Sequence, residues 1–363
     1  MIGIKEIKQI SSYEGKRGPL VSLYVNTNRA RYEEKKIFIK YKDVVKSVTK
    51  YLSSRDQKRI FSYIKNKLKK SSKGVVFFVA SDDNFFKVKE LSRPVETIAF
   101  AGERSYIRPL LRMIDEYERY LVALIDEKKA RLFVIYLGEI EESKELVNYY
   151  YIQKTQKGGW SQARYQRHAE EHFAKHLKNI KTAISSISKR KKFARIILAG
   201  TQESIREFEQ LLNKAEKNKV VGEFPMQMTA SDNDILKKSL DVEDQIEREK
   251  ESQLVDQLFD ALGKKNKGVV GIEQVAKMVQ EGRATMLLID DRFKISGYHC
   301  PNCEFISVKK YPTCPYCKER MVAVSDVINR LVKRGLLAGA EIEFVKNNKK
   351  LNKRGKIGAI VRF

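Results

Sequence analysis

The chain has 363 residues, 42% hydrophobic and 10% aromatic, which is too apolar for global disorder and too long for one hydrophobic core. Seventy-two lysines and arginines against 46 acids give a formal charge of +26, which disfavours a cationic partner and points to nucleic acid or an anionic membrane. No apolar run approaches the ~20 residues of a membrane span and the opening MIGIKEIKQI has no signal-peptide core, so nucleic acid is expected as the partner and no membrane. Four cysteines in no disulfide-rich pattern read as cytoplasmic, and a monomer in solution is expected.

In chain order, GPLVSLYVNT reads as a first strand, and residues 35–73 place Ile37, Tyr41, Val44, Val45, Val48, Ile60 and Ile64 at helical spacing. The same stretch carries 14 basic residues against Asp43 and Asp56. GVVFFVA has the continuous apolar character of a buried strand, and FFKVKEL and VETIAF read as further strands. Residues 1–118 are therefore expected to form a basic α/β domain, without a phosphate-cradling glycine motif. Residues 120–140 read as two strands joined across 126–129, with 149–153 another extended candidate. A long helix is expected from Ala163 to Ser188. RIILAG then feeds a helix capped by Thr201, which completes a domain over 119–245. Residues 241–260 carry −6, so an acidic helix near 241–252 is the expected connector to a third α/β domain over 252–363.

Two constellations carry chemistry. The first is QKGGWSQARYQRHAEEHFAKH, residues 156–176. The Gly158-Gly159 pair lets the backbone reach conformations closed to other residues. On the helix that follows, Arg164, Arg167, Lys175 and Lys178 form a basic stripe interrupted by Glu171, opposite apolar Phe173, Leu177, Ile180 and Ile184. A glycine loop heading such a helix can enter a nucleic-acid crevice while the cations hold phosphates behind it. His168, Glu171 and His172 also match the H-x-x-E-H pattern of zinc peptidases, but no third ligand is evident and hydrogen bonding or phosphate contact is the preferred role.

The second constellation is Cys300-Pro-Asn-Cys303 followed, after ten residues, by Cys314-Pro-Tyr-Cys317. Two C-x2-C knuckles can supply four thiolates to one tetrahedral Zn2+ with no ligand position spare, so the expected site is structural, a zinc ribbon over 297–320. Spacing alone leaves iron or an iron–sulfur cluster open.

Together these features resemble the archaeal and eukaryotic class-1 peptide-chain release factor family, which includes paralogues that rescue stalled ribosomes. The resemblance covers about 125–363. It rests on RIILAG, on 254–290, on the cysteine pairs, and on LVKRGLLAGAEIEFV and GKIGAIVRF. It implies an α/β fold in three domains: a basic N-terminal domain, a middle-domain sheet with a glycine loop and long helix, and a kink-turn-binding-protein-like α/β/α third domain carrying the zinc ribbon. It also implies the ribosome, tRNA and rRNA as partners, with a translational GTPase as recruiter.

Two departures shape the function this resemblance implies. Where the family has Gly-Gly-Gln-Ser, the chain reads Gly158-Gly159-Trp160-Ser161, and the next glutamine is Gln162. The Asn-Ile-Lys-Ser motif of codon readers does not occur in 1–120. The chain is thus similar to the divergent bacterial and archaeal branch and to a ribosome quality-control hydrolase. The expected activity is peptidyl-tRNA hydrolysis in rescue, without stop-codon decoding. Gly158 and Gly159 would give the loop reach and Gln162 would orient water. Trp160, Arg164, Tyr165, Arg167, His168, Lys175 and Lys178 would bind RNA. One alternative is an inactive factor occupying the ribosomal A site. Another is an RNA-cleaving rescue factor, which lacks a visible acidic metal cluster.

Overall fold

The computed structural model describes residues 3–13, 15, 17–28, 34–151, 162–263 and 267–362. The architecture is multi-domain α/β, in two compact units: Met1–Glu116 together with Glu249–Phe363, and Tyr117–Arg248.

In the first unit, helix α1 (Ile4–Ser12) precedes strand β1 (Leu20–Asn26), followed by α2 (Glu34–Lys46) and α3 (Ser54–Ser62). A π turn over Tyr63–Lys67 leads to β2 (Gly74–Ala80), β3 (Phe85–Leu91) and β4 (Ile98–Gly102). The antiparallel order is β3-β2-β1-β4. Because strand side chains alternate, Val21, Leu23 and Val25 share one face of β1 with Val75, Phe77 and Val79 of β2. That face is covered by Tyr41, Val45 and Ile60 from the helices and by Val48 and Ile64 from the turns that follow them. The strand expected at 95–100 begins three residues later, with Val95 buried ahead of it. Helix α4 (Arg108–Glu116) closes this part.

The second unit begins with β5 (Tyr120–Ile125), β6 (Lys129–Tyr136) and β7 (Glu139–Val147), then α5 (Gln162–Lys191) and β8 (Arg195–Gly200). Next come α6 (Gln202–Gln210), the short α7 (Lys214–Lys217) and β9 (Val220–Pro225). The sheet order is β7-β6-β5-β8-β9, with β8 parallel to both β5 and β9. Phe173, Leu177, Ile180 and Ile184 of α5 are buried against Leu121, Ala123, Leu132 and Val134, as the helical projection requires. Thr201 caps α6, accepting from Ser204 N–H at 3.3 Å. Two expectations fail here. The third strand β7 was not anticipated. Tyr149 and Tyr150 form a turn instead of beginning a strand, and residues 152–153 lie outside the described set.

Helix α8 (Asp232–Gly263) runs unbroken through the acidic stretch. Glu243, Glu247 and Glu251, spaced four apart, share one face and are buried. The Arg195 guanidinium sits 2.8 Å from Glu247 and beside Glu243, and Glu251 accepts from the Lys346 N–H at 2.7 Å. The paired cation and backbone donor make that burial tolerable.

The first unit resumes with β10 (Gly268–Val270), α9 (Ile272–Gln280), β11 (Ala284–Asp290), β12 (Gly297–His299), β13 (Ile306–Ser307) and β14 (Val322–Val324). It ends with α10 (Val327–Leu337), β15 (Glu341–Val345), α11 (Lys349–Lys353) and β16 (Ile357–Val361). The main sheet orders β10-β16-β11-β15, and β13-β12-β14 forms a small separate sheet. Within this unit the segment before α4 is joined to α10 by a buried polar seam. Tyr106 donates its hydroxyl to Asp326 at 2.9 Å, and Arg108 lies 3.5 Å from the same carboxylate. Arg108 also donates to the carbonyls of Asp290 and Asp291, while Asn329 accepts from the N–H groups of Ile107 and Arg108. Asp326 in turn caps α10, accepting from Ile328 N–H at 3.0 Å.

Candidate metal centre and nucleic-acid face

The small sheet holds two turns built alike. Cys300 N–H donates to the Phe305 carbonyl at 2.8 Å and Glu304 N–H to the Cys300 carbonyl at 3.0 Å. Cys314 N–H donates to Glu319 at 2.7 Å and Lys318 N–H to Cys314 at 3.0 Å. The residue after each second cysteine, Glu304 (φ 60°) or Lys318 (φ 64°), is left-handed. This conformation folds the chain back and brings both thiols of each pair to one point. Gly297 opens the motif because a Cβ there would meet the Ser307 carbonyl oxygen at 2.5 Å.

The four Sγ atoms lie within 4.8 Å of one another, with Cys300 and Cys317 3.3 Å apart and Cys303 and Cys314 3.5 Å apart. Ligands about 2.3 Å from a tetrahedral zinc stand roughly 3.8 Å apart, so the donor set fits such an ion without rebuilding. No cysteine is in a disulfide. Burial raises the Cys300 and Cys303 thiols, the latter to about 12, whereas a hydrogen bond from the Glu319 backbone, helped by Cys300, draws Cys317 down to about 6. Four thiolates at this spacing need a cation to offset their charge.

The knuckle is also tied to its surroundings. Arg334 of α10 reaches the carbonyls of Cys303 at 3.4 Å and Glu304 at 3.3 Å, and Gln280 donates to the Cys303 carbonyl at 3.2 Å. The Glu304 carboxylate pairs with Arg104 and stands 3.7 Å from Arg334. These charged groups line a cleft of about 240 Å³ with Glu103, Arg330 and Lys333. Sequence reasoning missed this support, since Arg104 and Arg334 carry no local signature.

On α5, Arg167, His168, Lys175 and Lys178 are exposed, with Glu171 among them. Gly158, Gly159, Trp160 and Ser161 lie outside the described residues. Gln162, Arg164 and Tyr165 fall in the first turn of α5, and their side chains are likewise not described. The three histidines part company. His168 is exposed, while His172 stacks on Tyr150 with ring centroids 5.4 Å apart and planes 14° apart. His176 is buried, and it hydrogen-bonds the Lys129 backbone. Among the described residues, the four cysteines form the group placed to hold a metal, and the H-x-x-E-H residues do not. Also among the described residues, no helix is long and apolar enough to cross a membrane.

Residues 106–244 match the model of bacterial archaeo-eukaryotic release factor family 10. Over 99% of its length the chain is 23% identical to peptide chain release factor subunit 1 of Thermococcus kodakarensis, and 23% identical to that of Thermococcus sibiricus, with 96% of each relative covered. Among solved structures it is similar to Archaeoglobus fulgidus Pelota at 15% identity and a TM-score of 0.36, covering 80% of this chain and 79% of that one. A sequence similarity that runs from end to end, with the family 10 match over residues 106–244, makes this protein similar to the archaeal and eukaryotic release factors.

Proposed function

We propose that the protein is a cytoplasmic, ribosome-directed release-factor homologue that acts on the peptidyl-tRNA ester in rescue or quality control and does not decode stop codons. The observation that carries this reading is the similarity to release factor subunit 1 over 99% of the chain, coupled with Trp160 in the position of the family's loop glutamine. The working division is 1–118, 119–245 and 252–363, the last a kink-turn-binding-protein-like domain with a zinc ribbon. Zinc held by Cys300, Cys303, Cys314 and Cys317 supplies folding free energy and no reaction chemistry. A translational GTPase is the recruiting partner.

In this reading Gly158 and Gly159 let the loop extend, and Gln162 orients the water that attacks the ester carbonyl or donates to the developing oxyanion. Trp160 stacks on a base or ribose, and Arg164, Tyr165, Arg167, His168, Lys175 and Lys178 hold RNA behind the loop. The test is peptidyl-tRNA release from ribosomes halted at UAA, at a sense codon, on a truncated message, and after splitting. Release without preference for UAA is expected, falling on the order of 10²-fold in Gln162→Ala with ribosome binding retained. A strong UAA preference overturns the non-decoding assignment. A second reading is favoured by Trp160 itself, whose indole has no carbonyl to orient water. That reading is a ribosome-occluding factor without hydrolysis, and binding without release in any state, including with Trp160→Gln, selects it.

A further inference from the structure

The turn at Tyr149 and Tyr150 is built, not incidental. Asn148 N–H donates to the Lys128 carbonyl at 2.8 Å, and its side-chain amide donates to the Glu127 carbonyl at 3.0 Å, which fixes the turn to the β5–β6 hairpin. Tyr150 N–H donates to the Asn148 side-chain oxygen at 3.3 Å, and Tyr151 N–H to the Asn148 carbonyl at 3.2 Å. The same hairpin receives α5, through the bond between buried His176 and the Lys129 backbone. Held from both sides, Tyr150 stacks on His172, and the Lys175 ammonium lies 5.6 Å from its ring centroid. Yet Tyr150 remains 63% exposed and its neighbour Tyr149 86% exposed. Two aromatic rings therefore stand in water at the edge of a helix face that carries Arg167, His168, Lys175 and Lys178.

We propose that Tyr149 and Tyr150, backed by His172 and flanked by the cations of α5, form a stacking platform for unpaired nucleotides. Aromatic faces beside cations suit single strands, because unpaired bases offer π faces that a duplex keeps stacked internally, while the cations follow the phosphates. A protein partner of ordinary surface would use the rings but not the run of same-sign charge. The inference rests on the nucleic-acid part of the proposed function and not on hydrolysis.

The experiment uses the full chain with its metal and measures fluorescence anisotropy with a labelled 12-nucleotide adenylate RNA and with a duplex of equal length. Tyr149→Ala and Tyr150→Ala should each weaken single-strand binding by roughly 5- to 150-fold, while Tyr150→Phe binds like the parent. Duplex affinity should not move, and neither should the salt dependence of the tyrosine variants, since no phosphate contact is lost. Hydrogen exchange across α5 reports that the variants remain folded. Unchanged single-strand affinity in both alanine variants overturns the platform, as does an equal loss for duplex or an equal loss in Tyr150→Phe. Loss of stacking with ribosomal release preserved would show a platform unconnected with the proposed function. Stacking intact with no release on any ribosome would sink hydrolysis and leave the platform standing.

Discussion

At the cysteine knuckles of the first unit the polar groups turn inward, toward paired amides, the guanidinium of Arg334 and a thiol cluster able to enclose one ion. On α5 of the second unit Arg167, His168, Lys175 and Lys178 are exposed, while the apolar residues of the opposite face are buried against the sheet. The first arrangement makes structure from chemistry, and the second holds chemistry ready for a partner. The difference teaches that charge is informative here by where its counter-charge lies. Glu304 meets Arg104 and Arg334 inside the fold, whereas Arg167, Lys175 and Lys178 of α5 lie on an exposed face with Glu171 among them.

The comparison is most easily broken at the cysteines. Structural zinc contributes about 10–16 kcal/mol in small metal-folded domains, so Cys300→Ser or Cys314→Ser should abolish stoichiometric metal. The same changes should expose the amides of β12 and α10 to hydrogen exchange. Elemental analysis of protein purified without chelator, followed by exchange mass spectrometry, checks both. Full protection at Arg104 and Arg334 without metal would mean that the knuckle is held by its hydrogen bonds alone.

The outward face predicts the next largest effect. If about 6–10 phosphates are engaged, RNA affinity should fall roughly 10³- to 10⁵-fold between 50 and 200 mM salt. Reversing Arg167, Lys175 and Lys178 to glutamate should remove much of that slope. Binding that is tight and flat with salt would place the cations with the other solvated lysines of the chain.

The buried seam sharpens the contrast from the inward side. Asp326 accepts from Tyr106, faces Arg108 and caps α10, so Asp326→Ala leaves a guanidinium uncompensated and should cost about 3–5 kcal/mol in urea unfolding. A cost below about 1 kcal/mol would mean that the carbonyls of Asp290 and Asp291 suffice for Arg108.

These regions also differ in how far the sequence revealed them. Two C-x2-C pairs encode a tetrahedral donor set in 18 residues, and the apolar row of α5 lies at one helical period, so both were legible locally. The Arg108–Asp326 seam joins residues 218 apart and leaves no pattern in the chain. Strand β7, EIEESKELV, sits at the sheet edge with an alternation dominated by glutamates, and it lacks the apolar character by which a central strand is read. In the acidic stretch expected as a connector, net charge gave no hint that the four-residue spacing of Glu243, Glu247 and Glu251 is what Arg195 and the Lys346 amide require. The Tyr149–Tyr150 turn escaped because tyrosine favours strands, and the Asn148 bonds that fix the turn to the Glu127 and Lys128 carbonyls are tertiary.

The smallest expected effect lies beneath the platform, at His176, where the two kinds of region meet on one helix. Burial, outweighing the Lys129 backbone bond and the field of Asp126, holds this imidazole below its ordinary value of 6.5, so the folded state keeps it neutral. The unfolded chain then binds the proton more readily. The residue's contribution is therefore present above pH 6.5 and is lost as pH falls through the depressed value of the folded state. Hydrogen exchange along α5 and the 126–129 turn should quicken between pH 7.5 and 5.5, after correction for intrinsic exchange rates. The pH-dependent part of that opening should shrink in His176→Leu even though the variant loses a hydrogen bond. Carboxylates elsewhere titrate in both proteins, so the difference between them isolates the histidine. Because His176 lies one turn beyond His172, single-strand RNA binding should weaken over the same interval in the parent more than in the variant. An identical pH response in the two proteins would mean that protonated His176 is accommodated without opening, and that α5 is held to the hairpin by its apolar row alone.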